Sequence, residues 1–400
     1  MTNILDKCKR FTTPQEYMAI GMYPYFKPLE SAQGPEVMIE GRKFIMVGSN
    51  NYLGIADDPR MKEAAISAIS KYGTGSAGSR FLNGNTIFHQ ELEEKLADFK
   101  GKEAALIYST GYQMNVGTVS SLLGKKDVAI VDKLNHASIL DGITFSNASM
   151  KRYKHNDMVD MEKTFSQIDK KSGKMVIIDG VFSMEGDICN LPEIVRIGKK
   201  NSAVIMVDDA HGTGVLGKNG KGTCEHFGLE DEVELITGTC SKSFASVGGF
   251  VVGDKDTINY IRHHSRSMIF SAALPVGCVA AISKAIDIIK SEPERRARLW
   301  KNAKKIKEGF ESLGFNTLQS QTPIIPVVIG DEKKCFAMWK ALYEIGIFTT
   351  PVIPPAVPPK HTLIRVSVMA THTDKHIEMV LEAFEKCAKT LGIDSPKVVD

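Results

Sequence analysis

A single lysine, Lys242, stands in the run GTCSKSFASVGGF at residues 238–250, between the apolar stretches ELIT and FVVG. An amine at the end of a buried segment has two uses. It can extend its methylenes and reach water, or it can stay partly desolvated and attack a carbonyl group as a nucleophile. Spacing excludes two lysine motifs. A phosphate loop would need glycine at 236 and 241, where the chain has Ile236 and Ser241. The serine–lysine hydrolase pattern would need serine at 239, which is Thr239. The run MVDDAHGTGVLG then shifts the balance: an apolar segment ends in Asp208, and His211 follows in a glycine-rich turn. Alone, Asp208 and Asp209 read equally well as a turn and helix cap, and His211 as a loop histidine. With a lysine one strand later they match what pyridoxal phosphate requires. Its ring nitrogen needs a carboxylate, its phenolic oxygen a donor and its aldehyde an amine.

Other runs place polar residues at the same kind of position. YSTGYQMNVG at 108–117 follows an apolar run and opens a helical pattern, whose N–H groups suit a phosphate or a simple cap. His136 in DKLNHASILDG is either a structural hydrogen bonder or a planar ring able to stack on a pyridine. Ser183 in VFSMEGDI comes just after another apolar run. In chain order, Gly111-Tyr112, His136, Ser183, Asp208-x-x-His211 and Thr239-x-x-Lys242 resemble the α-oxoamine synthases, fold-type-I pyridoxal phosphate enzymes. The resemblance runs from about residue 20 to 390 and includes SNNYLG, GTGSAGSRFLNGN, FSAALP, PPAVPP and VSVMATHT.

That resemblance implies a decarboxylative condensation of an amino acid with an acyl-CoA. By overall wording the chain is most similar to family members that join L-serine to palmitoyl-CoA, although spacing does not separate them from relatives using alanine or glycine. Lys242 would form the Schiff base and later move the Cα proton, a role that desolvation and a cationic cofactor would favour by lowering its pKa. Asp208 would pair with the ring nitrogen, His211 with the phenolic oxygen, and His136 would stack on the ring. Gly111, Tyr112, Ser183 and Thr239 would help hold the cofactor. Ser271 would reach the phosphate in a neighbouring subunit, which implies a homodimer with shared sites. Asn51 would lie near the substrates, and Arg365 would grip the amino-acid carboxylate through paired donors.

These residues need a scaffold that brings segment ends together. Apolar runs at 105–108, 128–131, 175–179, 203–208, 234–237 and 250–253 alternate with amphipathic patterns such as HQELEEKLADFKG. Continuous apolar strands separated by helices predict an α/β fold with a mostly parallel sheet covered on both faces. The fold-type-I resemblance agrees. Beyond residue 285 a long charged helix, strand-like IIPVVIG and LIRVSV, and two further helices predict a smaller α+β domain. The expected division is an arm over 1–55, with a hairpin in MIEGRKFIMVGS, a large domain over 56–285 and a small one over 286–400.

Composition narrows the class. At 43% hydrophobic and 24% charged residues, with a formal charge of +3 over 400 residues, the chain reads as globular and gives no nucleic-acid signature. Seven scattered cysteines without a CxxC argue against a disulfide framework or a structural zinc site. No apolar run approaches the roughly 20 residues of a membrane span, and the polar N-terminus lacks a signal-peptide core. The expectation is a cytoplasmic enzyme, with transient contact to a membrane surface left open.

Overall fold

The computed structural model describes residues 3–394, which divide into two compact units. Residues 50–300 form one, and residues 3–49 with 301–394 form the other. The N-terminal segment thus groups with the C-terminal residues, and the division falls at 49/50 and 300/301 instead of 55/56 and 285/286.

The unit spanning 50–300 is built on a seven-stranded sheet. Its strands are β1 (Ala104–Tyr108), β2 (Val128–Asp132), β3 (Ser149–Tyr153), β4 (Lys174–Asp179), β5 (Val204–Asp208), β6 (Leu235–Thr239) and β7 (Gly249–Gly253). The spatial order is β1-β7-β6-β5-β4-β2-β3. All neighbours are parallel except β7, which runs antiparallel to both β1 and β6. Six strands lie where the apolar runs predicted them. The seventh, β3, has the sequence SMKRY and mostly exposed side chains. It closes the sheet edge, where polar residues limit further pairing and leave no apolar signal to read. Ala129, Ile130, Val131, Ile177, Met206 and Val251 are fully buried in the core beneath and above the sheet, the two-sided burial expected of parallel strands.

Parallel pairing aligns the carboxyl ends of the central strands. Asp179 on β4 is in register with Asp208 on β5, and Asp208 is in register with Thr237 on β6. Polar strand-end residues from separate parts of the chain therefore share one edge, where open α/β sheets bind ligands.

In the other unit, Glu36–Ile39 and Arg42–Met46 form the predicted hairpin. Its two-residue turn, Glu40-Gly41, has φ of 53° and 68°, the left-handed pair that matches strand twist in a tight hairpin. Ile347–Phe348 adds to it in parallel, and a second sheet orders Ile324–Val328, Leu363–Ser367 and Thr350–Val352. His372 is buried in this unit. Its Nδ1 accepts from the Met369 N–H at 3.0 Å, and its Nε2 lies 3.0 Å from the Met46 carbonyl. Only the neutral imidazole with a proton on Nε2 satisfies both, and burial, then the charge of His376, depresses its pKa to about 4. An unfolded chain takes up this proton first, so the contribution is intact above about pH 6.5 and falls away toward pH 4. The full loss is about 3 kcal/mol. Urea unfolding at pH 7 and pH 4.5 should therefore show a steeper stability loss for the parent than for His372→Gln; equal losses would refute the assignment.

Among the described residues, no helix is long and apolar enough to cross a membrane, and all seven cysteines are free thiols.

Candidate active site

At the carboxyl edge of the sheet lies a cavity of about 330 Å³, within the roughly 300–1,000 Å³ range of small-molecule sites. Gly111, Tyr112, His136, Ser183, Asp208, His211, Thr239 and Lys242 all line it. The structure thus brings together eight of the residues singled out from sequence. Asn51, Ser271 and Arg365 are not among the lining residues. The Asn51 carboxamide oxygen accepts from the Ile55 and Ala56 N–H groups at 3.1 and 3.4 Å, holding a turn. The Ser271 hydroxyl accepts from Gln113 Nε2 at 3.1 Å. Arg365 belongs to the other unit, in the middle of the strand Leu363–Ser367. There it is buried and donates from Nη1 to Ser367 Oγ at 2.7 Å.

Each lining residue owes its place to local chain physics. Thr110 caps the helix Gly111–Leu122, its hydroxyl accepting from the Gln113 N–H at 3.1 Å. The first helical residue packs directly on β7: a Cβ on Gly249 would fall 2.6 Å from Gly111 Cα. A Cβ on Gly111 would fall 2.8 Å from Thr239 Oγ1. Two glycines thus let a helix N-terminus sit against the Thr239 hydroxyl, with free N–H groups and a favourable dipole for an anion. Lys242 lies in a loop closed by hydrogen bonds from Cys240 N to Gly248 O and from Ser246 N to Cys240 O, both 2.9 Å. Ala245, at φ 50°, turns that loop tightly enough for its N–H to reach the Lys242 carbonyl at 2.8 Å.

Asp208 sits in a hydrogen-bonded chain that sequence reading missed. Asn115 Nδ2 donates to Asp208 Oδ2 at 2.6 Å and to Ser138 Oγ at 2.9 Å. Ser138 Oγ lies 2.7 Å from His136 Nδ1, and the Ser138 N–H also points to that nitrogen at 3.3 Å. His136 Nδ1 is therefore the acceptor and Nε2 carries the proton. Burial lowers the His136 pKa; Asp208 opposes the shift and Lys242 reinforces it, so the imidazole is neutral near pH 7. The other Asp208 oxygen accepts from the Ala210 N–H at 3.0 Å.

Asp179, next to Asp208 across the β4–β5 register, lines the same cavity. Burial first, and then the Asp208 charge, pushes its carboxyl well above the usual range. Behind His211, Tyr52 is buried with its hydroxyl 2.7 Å from His211 Nδ1. Tyr112 is half exposed and hydrogen-bonds Asp141. Of the missed residues, Asn115 and Asp179 had a readable signal: one lies a helical turn after Gly111, the other ends an apolar strand as Asp208 does. Tyr52 stood in the SNNYLG run beside Asn51.

Comparison with known proteins places these features in a family. Residues 42–384 match the family model of class I and II aminotransferases. A serine palmitoyltransferase from Sphingobacterium spiritivorum is 47% identical over 390 residues, which are 98% of each chain. An 8-amino-7-oxononanoate synthase from Thermoanaerobacter pseudethanolicus is 45% identical over 380 residues, 95% of this chain and 96% of that protein. Among solved structures, a lysine-to-alanine variant of a serine palmitoyltransferase from S. paucimobilis with a bound PLP–myriocin aldimine superposes with a TM-score of 0.95 at 36% identity. The match covers 98% of this chain and all of that one.

Proposed function

The chain belongs to the class I and II aminotransferase family, and on that premise we propose that it condenses L-serine with palmitoyl-CoA. The products are 3-ketodihydrosphingosine, CoA and carbon dioxide, and the cofactor is pyridoxal 5′-phosphate. The observation that carries this reading is the convergence of Lys242, Asp208, His211 and His136 on one cavity beside a helix N-terminus. The donor set fits the cofactor group by group: an amine for the aldehyde, a carboxylate for the ring nitrogen, an imidazole for the phenolic oxygen, and hydroxyls with N–H groups for the phosphate.

When bound, pyridoxal phosphate supplies an aldehyde that takes up an amino group and a cationic ring that draws electrons from bonds at Cα. The chain's residues supply the rest. Asp208, oriented by Asn115, keeps a proton on the ring nitrogen and so preserves the ring's electron demand. His136, neutral and held by Ser138, offers its planar face. Thr239, Ser241 and the N–H groups at Gly111 meet the phosphate. With serine bound, Lys242 would remove the Cα proton and return one after carbon dioxide leaves. Arg365 is assigned to the serine carboxylate and Asn51 to the substrate region from the family resemblance. We further propose a homodimer in which Ser271 serves the neighbouring subunit. Phe81 and Leu82 in GSRFLNGN and Phe270 in FSAALP are exposed large apolar side chains of the kind a subunit interface covers. Free thiols suit a reducing compartment, and the enzyme is accordingly assigned to the cytoplasm.

The 45% identity to an 8-amino-7-oxononanoate synthase supplies the competing reading. Purified protein loaded with pyridoxal phosphate should release CoA fastest with L-serine and palmitoyl-CoA, and slower as the acyl chain shortens. A preference for L-alanine with pimeloyl-CoA would replace the proposed activity by its relative's.

A further inference from the structure

We propose that His155 is a positioning residue which, as an imidazolium, clamps the loop carrying His136 to the loop carrying Ser183. Both ring nitrogens face carboxylates. Nδ1 lies 3.1 Å from Asp132 Oδ1, and Nε2 lies 3.1 Å from Asp187 Oδ2. Carboxylates can only accept, so both nitrogens must carry protons to satisfy this geometry. Asp132 closes β2 four residues before His136, and Asp187 follows Ser183 by four residues. The clamp thus joins the two segments that place one ring-facing and one cofactor-facing side chain in the cavity.

The surroundings are built for this bridge. Asp132 is fully buried, and its oxygens also accept from the Leu134 N–H at 2.8 Å and the Asn156 N–H at 2.7 Å. Asn156 extends the bridge through Nδ2, which donates to Asp187 Oδ2 at 3.2 Å and to the Ile188 carbonyl at 3.1 Å. The ring of Phe182 meets His155 edge-on, with centroids 4.4 Å apart, and fixes its plane. The charged or titratable groups that act with His155 are Asp132 at the end of β2 and Asp187 and Glu185 on the Ser183 loop that follows β4. Burial alone would depress the His155 pKa, but the hydrogen bonds to Asp132 and Asp187 carry it up to about 10. The sign follows: a raised histidine pKa gives stabilisation that is complete below about pH 6.5 and is lost as pH rises toward 10.

The inference rests on the cofactor reading, and the test separates the two. In the full-length protein, the pyridoxal phosphate dissociation constant is measured for the parent, His155→Gln and His155→Lys, alongside ¹⁵N NMR titration of histidine-labelled parent. The expected result is an imidazolium signal for His155 persisting above pH 9. His155→Gln should bind the cofactor about tenfold more weakly, which is about 1.4 kcal/mol, with partial rescue by His155→Lys. Parent-like cofactor affinity in His155→Gln, or a neutral His155 ring at pH 8, overturns the proposal. A parent that takes up no pyridoxal phosphate refutes the cofactor reading, and the clamp then stands or falls on the NMR titration. Should His155→Gln fail to fold, the same titration of the parent decides.

Discussion

Lys242→Ala is expected to lower CoA release from L-serine and palmitoyl-CoA by at least about 10³-fold. A positioned general base contributes about 10²–10⁴-fold by itself, and the same amine is the covalent anchor for the cofactor aldehyde. The loss should fall almost wholly on turnover. Asp208, Thr239, Ser241 and the helix N-terminus at Gly111 stay in the cavity wall, so the cofactor should still bind without a covalent link. The substitution also leaves the scaffold intact. The loop around residue 242 is closed by main-chain hydrogen bonds from Cys240, Ala245 and Ser246, none of which uses the lysine side chain. Steady-state CoA release and equilibrium dialysis of pyridoxal phosphate check the two halves. Turnover within tenfold of the parent would remove Lys242 from the chemistry.

The second large effect is on stability. Directly after Asp208, the Asp209 side chain turns inward and pairs with Lys100, both side chains being at most 1% exposed. Lys100 Nζ donates to Asp209 Oδ2 at 2.9 Å, to Thr213 Oγ1 at 2.7 Å and to the Lys221 carbonyl. The other carboxylate oxygen accepts from the Thr223 N–H at 3.0 Å and the Thr223 hydroxyl at 2.7 Å. Every donor and acceptor of the pair is used. The backbone of the same residue spans the loop, its N–H reaching Thr237 O and its carbonyl receiving Gly212 and Thr213. Asp208 and His211 therefore hang on a loop that is fixed from within. Lys100→Met should cost about 3–5 kcal/mol, because it leaves an uncompensated charge in the interior. Against a total of about 5–15 kcal/mol for a typical native protein, such a loss shifts the urea midpoint strongly. Lys100→Met combined with Asp209→Asn should recover much of it, since the orphaned charge is then gone. A single variant within about 1 kcal/mol of the parent would show that the pair is dispensable.

Local sequence alone determined which residue types could do chemistry, and most of the strands that carry them. A lysine, an aspartate and a histidine at the ends of apolar runs are readable because burial of a parallel strand writes itself as a continuous apolar segment. Helix starts were readable for a similar reason: the Thr110 cap is a short-range event between residues three apart. The edge strand Ser149–Tyr153 escaped because its exposed side chains carry no apolar pattern. The partners of the chemical groups escaped for a different reason. Asn115 meets Asp208 across 93 residues of chain, and Tyr52 meets His211 across 159. No local spacing encodes such pairs; strand order and parallel register do. The same register sets Asp179 beside Asp208, and burial, with that adjacency, raises the Asp179 carboxyl well above its usual range. Residue types and their strand-end positions belong to the sequence, while hydrogen-bond partners and protonation belong to the sheet that brings those ends together.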